Sequence, residues 1–173
     1  HGYTLLGLLI EEVSGQPFDT YMAEHVLQPL SMTSSSFSQP LPAALANRLA
    51  TGYNHNGQTY TPYPMDFVHV APAASLVTPA SEMGNFMIAH LNDGTYNGTQ
   101  LLAPATVTEM HQQQFAHHPA LRGRAYGFSE WLENGQRAIF HDGGNPGFQS
   151  RLFLLPEHNI GFYFAINGDQ YSP

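Results

Sequence analysis

The spacing of apolar residues predicts two helices at the start of the chain. The first is amphipathic and is indicated by apolar residues at helical spacing: Leu5, Leu6, Leu9, Ile10 and Val13. Gly15 and Pro17 stop it. A second helix is predicted from Thr20 to Leu27, with Asp19 as its N-cap and Pro29 just after its end. Because each helix has one apolar face, each needs a partner surface to cover that face.

The clearest helical signal in the sequence begins at Thr78. Thr78 is the predicted cap, Pro79 occupies the first turn, and Gly94 is the C-terminal stop. The apolar positions at helical spacing are Met83, Phe86, Met87 and Leu91. His90 falls on the same apolar face, so we expect it to be a hydrogen-bonded core histidine. Pro104 predicts the start of a further short helix.

Between Ser31 and Ala74 the periodicity disappears. This stretch is rich in Ser, Pro, Gly and Asn and carries scattered aromatic residues: Phe37, Tyr53, Tyr60, Tyr63 and Phe67. Because a structureless loop of such length is uncommon in a compact domain, we expect short irregular elements fixed by these rings. The stretch is a candidate for lining a substrate site, although the rings could equally serve only to anchor a surface loop.

After Arg124 the hydrophobic period changes from that of a helix to that of a strand. The predicted strands are Ala125 to Leu132, Arg137 to His141, Phe148 to Leu155 and Ile160 to Ile166. Asn134-Gly135 between the first two is a strong hairpin signal, which favours antiparallel pairing. The run from Ile160 to Ile166 is apolar on both faces, which predicts a central strand covered on each side.

The order of these elements favours one α+β domain. Residues 1–123 are predicted to be mostly helix and loop, and residues 124–173 to be antiparallel strands. The length of 173 residues matches the size of a single domain or a large part of one, and 42% hydrophobic against 10% charged residues indicates a globular chain. No apolar run approaches the roughly 20 residues of a membrane-spanning helix, so no membrane span is expected.

Charge and residue usage exclude several functions. The formal net charge is −8, so the field of the protein repels a phosphate backbone, and no nucleic-acid partner is expected. The absence of cysteine excludes disulfides and thiol catalysis. The 10 histidines include no His-Glu-x-x-His pair, and His117 and His118 are adjacent in a predicted loop, so neither a metal nor another cofactor is expected.

One glycine-rich segment carries the candidate chemistry. His-Asp-Gly-Gly-Asn-Pro-Gly begins at His141, between two predicted strands. Gly143 and Gly144 lack a Cβ, so the backbone there can approach a ligand and present N–H groups to it, as an oxyanion hole requires. The alternative is a glycine-rich turn with no ligand. His141, Gly143 and Gly144 are thus the candidate catalytic residues, and Asp142 and Asn145 the candidate substrate-binding residues.

Several landmarks together resemble the class C beta-lactamase-like serine hydrolases. They are the opening His1 to Phe18, which resembles the stretch after the family's Tyr-x-Asn motif, then Pro29-Leu30-Ser31-Met32, Ala73 to Ala80, His141-Asp142-Gly143, and Pro146-Gly147-Phe148. The likeness covers essentially the whole chain. It implies a beta-lactamase-like α+β fold, an antiparallel sheet flanked by helices, of which this chain is the C-terminal portion and is incomplete at both ends.

The resemblance implies a mechanism whose nucleophile this chain lacks. The family acylates the serine of a Ser-x-x-Lys motif, and no such motif exists in a sequence without lysine. By position, His141 takes the place of the lysine in the family's Lys-Thr-Gly strand motif and Asp142 that of the threonine. Gly144 takes the place of the residue whose N–H completes the oxyanion hole. Because an imidazole need not carry a fixed positive charge, esters, amides or small D-amino-acid peptides become plausible substrates, which favours the peptidase or esterase branch.

Two functional hypotheses follow. In the first, the chain is part of a serine hydrolase that acts through an acyl-enzyme on an amide, ester or beta-lactam, and it is inactive alone. In the second, it is a non-catalytic pseudoenzyme module that binds a ligand or a protein through the same cleft. The expected partner is a small-molecule or peptide substrate, and open sheet edges also predict self-association. Members of the family are often exported to the bacterial periplasm or beyond, and the sequence leaves the localisation open.

Overall fold

The chain ends in one antiparallel sheet. The structure is a computed structural model that describes residues 1–64, 67–118 and 121–168. Five strands follow one another in space as they do in sequence: β5 Arg124–Ala125, β6 Phe128–Glu133, β7 Gln136–Asn145, β8 Phe148–Leu155 and β9 Ile160–Ile166. The antiparallel pairing and three of the four predicted strands are confirmed, with β7 extended to Asn145. The strand predicted from Ala125 to Leu132 is split by a turn into β5 and β6, which pair with each other.

Asn-Gly turns join two of the hairpins, and the turn predicted at Asn134-Gly135 is confirmed. Asn134 and Gly135 have φ angles of 48° and 75°, and they connect β6 to β7. Asn97 and Gly98 have φ angles of 46° and 81° and connect the two-residue strands β3, Thr95–Tyr96, and β4, Thr99–Gln100. Positive φ at both central residues is what a type I′ turn requires, and Asn and Gly tolerate it best.

The prediction that Ile160 to Ile166 forms a central strand is wrong. β9 lies at the edge of the sheet, where it pairs with β8 alone among the described strands. Gly161 is packed so closely against Met87 and Leu91 that a Cβ would lie 3.0 Å from Met87 Sδ. Phe162, on the opposite face, is 55% exposed. One face of this strand therefore packs on a helix, and its other apolar face is not covered by the described residues.

Helix α4, Ala80–Leu91, covers the inner face of the sheet. The buried residues of the first core are Ala125, Phe128, Ile139, Leu152 and Leu154, and the side chains packed on them include Met83, Phe86, Met87, Leu91 and Tyr163. A second core joins α4 to the N-terminal half through Leu27, Leu30, Met32 and Ala89. Burial of these side chains supplies most of the driving force that holds the helix on the sheet.

Two predicted helix caps are wrong. The helix predicted from Thr20 begins earlier, as α2 Phe18–Met22 with Pro17 as its N-cap, and continues as a π-helical turn, Ala23–Leu27. Asp19 lies inside this helix, and its carboxylate accepts a hydrogen bond of 2.9 Å from Ser38 Oγ. Pro79 occupies the N-cap position of α4 without a side-chain cap, and the hydroxyl of Thr78 is hydrogen-bonded to Ser35 Oγ at 2.6 Å. In both cases a contact with a distant residue uses the side chain that local sequence had assigned to the cap.

The first helix, α1 Gly2–Ser14, packs against the rest of the chain at a glycine. Gly7 is its buried residue, and a Cβ there would lie less than 3.0 Å from the ring of Pro72. The apolar residues of the helix that are more than half exposed are Tyr3, Leu5, Leu6, Leu8, Leu9 and Val13. The amphipathic pattern is therefore present, but the described residues do not cover its apolar face.

Short elements fill the middle of the chain. They are α3 Ala43–Ala46 and the hairpin of β1, Gly52–His55, with β2, Tyr60–Tyr63. Phe37 packs edge-on against Phe18 with ring centroids 5.3 Å apart, as expected for rings that fix an irregular region. The last helix before the sheet, α5 Pro104–His111, begins at proline as predicted. Among the described helices, none has the length and hydropathy needed to cross a membrane.

Candidate active site

The candidate site lies where β7 extends beyond its neighbour. β6 pairs with β7 only as far as Phe140, whereas β8 pairs with β7 as far as Asn145. Over residues 141–145, no described strand pairs with the edge of β7 that faces away from β8. Alternate residues of an antiparallel strand direct their N–H and C=O groups to opposite sides. Some backbone groups of this stretch are therefore directed toward an edge where a ligand could meet them.

The pleat of β7 divides the five predicted site residues between two faces. Successive side chains of a strand point to opposite faces, so His141, Gly143 and Asn145 share the inner face, on which α4 packs. Asp142 and Gly144 belong to the outer face. The structure thus brings three of the predicted residues together and separates the other two from them.

The side chain of Asp142 forms an ion pair on the outer face of the sheet. Its carboxylate forms an ion pair with Arg151 on the adjacent strand. The guanidinium of Arg151 also lies over the rings of Phe140, at 5.5 Å, and Phe153, at 5.7 Å. Because its carboxylate is paired there, the side chain of Asp142 is directed away from the inner face where a substrate would meet His141. The geometry therefore gives no support to the predicted role of Asp142 in substrate binding.

His141 is exposed and lies beside the start of α1. The ring of Tyr3, in the first turn of that helix, meets the imidazole edge-on, with centroids 6.4 Å apart and planes at 76°. The sequence analysis did not identify Tyr3 as a site residue. The resemblance contained a signal for it, because the stretch beginning at His1 follows a catalytic motif in the family.

The two glycines differ in their surroundings. A Cβ on Gly143 would lie less than 3.0 Å from Ser150 Oγ on β8, so any larger residue here would force the Ser150 side chain to move. A Cβ on Gly144 would meet no atom within 4 Å. Packing among the described residues therefore disfavours a side chain at position 143 and does not oppose one at position 144. Ser150 is a second residue of the site that the sequence analysis did not identify.

Asn145 connects the end of β7 to the loop before α4. Its side-chain amide donates a hydrogen bond of 2.9 Å to the carbonyl of Ala74, a residue with a φ of 61°. The same loop is connected to α1, because Thr4 Oγ1 donates to the carbonyl of Val70 at 2.8 Å. The loop, the start of α1 and the end of β7 are thus held together by specific contacts.

A small cavity adjoins Asn145. Its volume is about 80 Å³, and it is lined by residues of two loops and of β7, including Gln39, Phe67, Ala74, Leu76 and Asn145. Ligand pockets are typically about 300–1,000 Å³, so this cavity could admit only part of a substrate. Phe67 is one of the aromatic residues that the sequence analysis named as candidates for lining a site.

A charged cluster lies at the opposite end of the sheet from this site. The Glu130 carboxylate accepts hydrogen bonds from Arg137 Nε at 2.8 Å and from the N–H of Gly123 at 2.9 Å, and it also accepts one from the amide of Gln113. Burial would raise the pKa of Glu130, but these hydrogen bonds outweigh burial and lower it. Among the residues that the structure describes, no group of three or more His, Asp or Glu side chains is placed to hold a metal ion.

Comparison with known proteins gives one consistent family. The family model described as "Beta-lactamase" matches residues 1–173. Protein flp of Staphylococcus aureus (strain NCTC 8325 / PS 47) is 26% identical over 174 residues, which cover 99% of this chain and 33% of that protein. Penicillin-binding protein 4 of Amycolatopsis lactamdurans is 26% identical over 180 residues, which cover 96% of this chain and 46% of that protein.

Solved structures show the same fold. A structure described as an octameric penicillin-binding protein homologue from Pyrococcus abyssi superposes with a TM-score of 0.82 at 21% identity, over 99% of this chain and 38% of that one. A class C beta-lactamase superposes with a TM-score of 0.80 at 16% identity, over 98% of this chain and 52% of that one. The chain therefore spans between a third and about half of the length of these proteins.

Proposed function

Because the chain belongs to the beta-lactamase family, we propose that it forms the strand side of a serine hydrolase active site whose nucleophile lies outside these 173 residues. The observation that carries the proposal is the edge of β7 over residues 141–145, which pairs with no described strand on the side away from β8 and has His141 and the start of α1 beside it. The absence of lysine from the chain means that it contains no Ser-x-x-Lys motif.

In this proposal, the edge of β7 stabilises the negative charge of the tetrahedral intermediate. When a serine attacks a carbonyl carbon, the carbonyl oxygen becomes an oxyanion that needs N–H donors at hydrogen-bond distance, and one donor is typically worth about 3–4 kcal/mol of barrier. The backbone N–H of Gly144 is the proposed donor. The space beside its α-carbon is open, since a Cβ there would meet nothing within 4 Å.

The proposed role of His141 is to contact the substrate from the inner face of the sheet. An imidazole can donate or accept a hydrogen bond without the fixed charge of a lysine, so it does not require a carboxylate on the substrate. We therefore place esters and amides, including small D-amino-acid peptides, ahead of beta-lactams as substrates. Asn145 would act as a positioning residue, because its amide holds the loop at Ala74 against the end of β7.

The test compares two histidine variants of the full-length gene product. The rates of acylation by a fluorophosphonate and by a fluorescent penicillin are measured for the unaltered protein, His141→Ala and His158→Ala. His158 is the matched control, because it lies in the turn between β8 and β9, at the other end of the same sheet. We expect His141→Ala to acylate at least about tenfold more slowly, equivalent to one lost hydrogen bond of about 1.4 kcal/mol, and His158→Ala to keep the full rate. Equal rates for all three proteins would overturn the assignment of His141.

A non-catalytic binding module is the second candidate. It is favoured by the exposed apolar residues of α1 and β9, such as Leu9 at 57% and Phe162 at 55%, because large apolar surfaces are typical of interaction sites. If neither probe modifies the full-length gene product, the catalytic proposal fails and this second candidate replaces it.

A further inference from the structure

Two histidines far apart in sequence form a direct hydrogen bond in the interior. His90 lies near the end of α4 and His111 is the last residue of α5, and their side chains belong to residues only 7% and 9% exposed. His90 Nδ1 and His111 Nε2 are 3.1 Å apart. Since a hydrogen bond needs one donor and one acceptor, at least one of these two nitrogens must be unprotonated.

The two rings meet end to end rather than face to face. Their planes differ by 20°, and their centroids are 5.3 Å apart, so the bonded nitrogens lie between the two rings. The lone pair of one nitrogen is therefore aimed at the other nitrogen, which suits a shared proton better than a metal ion bound to both. If both rings were charged, both facing nitrogens would carry a proton, and two N–H groups would point at each other.

The surroundings of the pair disfavour charge. Phe86 packs against His90 with centroids 4.5 Å apart, and the ring of Phe128 meets His90 at 5.5 Å and His111 at 6.2 Å. Burial, followed by the proximity of His111, lowers the pKa of His90 to about 4. Burial and then the Arg137 cation lower the pKa of His111.

Among the described residues that line the cavity beside the pair, two are charged, Arg137 and Asp93. From β7, Arg137 donates a hydrogen bond of 2.6 Å to the backbone carbonyl of His111. From β6, Glu130 is already neutralised by Arg137 at 2.7 Å. From the segment after α4, Asp93 lines the same cavity of about 430 Å³ as both histidines, together with Gln112 and Gln113. Water can enter this polar cavity, so a proton can reach the pair.

We propose that His90 and His111 form an acid-sensitive latch that holds the end of α5 to α4 and to the start of β7. The latch opens when both imidazoles become charged. At neutral pH the pair is held by one N–H donor and one bare nitrogen. The unfolded or locally opened chain binds protons with the ordinary histidine pKa of 6.5. It therefore binds more protons than the closed form as the pH falls from 6.5 toward 4, and acid favours opening.

The first test is the titration of both rings in the full-length gene product, read from their ¹⁵N chemical shifts after histidine-specific labelling. His90→Gln and His111→Gln assign the signals. We expect the His90 ring to stay neutral down to pH 5 and to titrate near 4, instead of at the ordinary 6.5. Titration of both rings near 6.5, each independently of the other, would overturn the proposal.

The second test measures opening itself, by hydrogen exchange of the amides of α5 at pH 7 and pH 4.5, after correction for intrinsic exchange rates. We expect protection of this helix to fall at least about tenfold at the lower pH, the equivalent of one pKa unit. His90→Gln should weaken this pH response, because an amide can hydrogen-bond with His111 without becoming charged. His25→Gln, at an exposed histidine on the π-helical turn, should leave it unchanged. Unchanged protection of α5 between the two pH values would show that the pair is only structural.

Discussion

Replacing Gly143 by alanine should destabilise the sheet, because the new Cβ would clash with one atom, Ser150 Oγ. A Cβ at position 143 would lie less than 3.0 Å from that oxygen, and the next nearest atom, Ser150 Cβ, is 3.7 Å away. Either Ser150 leaves its rotamer, which costs about 0.5–1.5 kcal/mol, or the strands move apart, which costs about 1–3 kcal/mol. A gain of about 0.4–1 kcal/mol from the lower entropy of the unfolded chain opposes this cost. Because the structure takes the cheaper route, the expected net loss lies between about 0 and 1 kcal/mol.

The double variant isolates the cause. Ser150→Ala removes the oxygen and leaves a methyl group in ordinary contact with the new Cβ, so Gly143→Ala/Ser150→Ala should be at least as stable as Ser150→Ala alone. Gly144→Ala is the matched control, because its Cβ would point to open space on the other face. It should change stability by no more than about 0.5 kcal/mol.

Urea unfolding followed by circular dichroism gives the four free energies of this cycle. We expect a coupling of about 0.5–1.5 kcal/mol between positions 143 and 150, equal to the cost of moving the Ser150 side chain. Additive effects of the two substitutions would refute the inferred arrangement of β7 against β8. A loss from Gly144→Ala as large as that from Gly143→Ala would show that the faces of β7 have been assigned the wrong way round.

Three further outcomes are expected. Leu154→Ala, at a residue with 0% exposure, should cost about 2–5 kcal/mol in urea unfolding, whereas Leu132→Ala, at 57% exposure, should cost less than about 1 kcal/mol. Glu130→Gln should lower the free energy of unfolding by about 1–3 kcal/mol at pH 7, because it leaves Arg137 without its carboxylate partner. Because the pKa of Glu130 is lowered in the fold, the difference in stability between the two proteins should shrink as the pH falls below 4.5, and a pH-independent difference would contradict the assignment. The 173-residue chain alone should self-associate in light scattering through its exposed apolar surfaces, and Phe162→Lys should reduce the association; a monodisperse monomer would contradict this expectation.

Local signals in the sequence were enough to predict most of the helices, strands and turns. The Asn134-Gly135 turn, the strands Phe148–Leu155 and Ile160–Ile166, and the start of α5 at Pro104 all depend on residues close together in the chain. His90 was also predicted correctly as a hydrogen-bonded core histidine, although nothing in the sequence identified His111 as its partner. Turn chemistry and periodicity act over a few residues, so a single sequence reveals them.

Strand order and the partners of side chains could not be predicted in the same way. An apolar run on both faces of β9 indicates that both faces suit burial, but it does not show what covers them, and β9 lies at an edge. Arg151 pairs with Asp142 across two strands, a contact that depends on register. The alternation of side chains along a strand places His141 and Asp142 on opposite faces of β7, which the sequence analysis did not use when it grouped them as site residues.

The position of the fluorophosphonate adduct decides whether this chain is part of a serine hydrolase whose nucleophile lies elsewhere. The full-length gene product and the 173-residue chain are each treated with the probe, weighed intact, and digested to locate the modified residue. The account predicts one adduct on the full-length product, on a serine outside these 173 residues and within a Ser-x-x-Lys motif, and none on the chain alone. An adduct on a serine within the 173 residues, or the absence of any adduct on the full-length product, would contradict it.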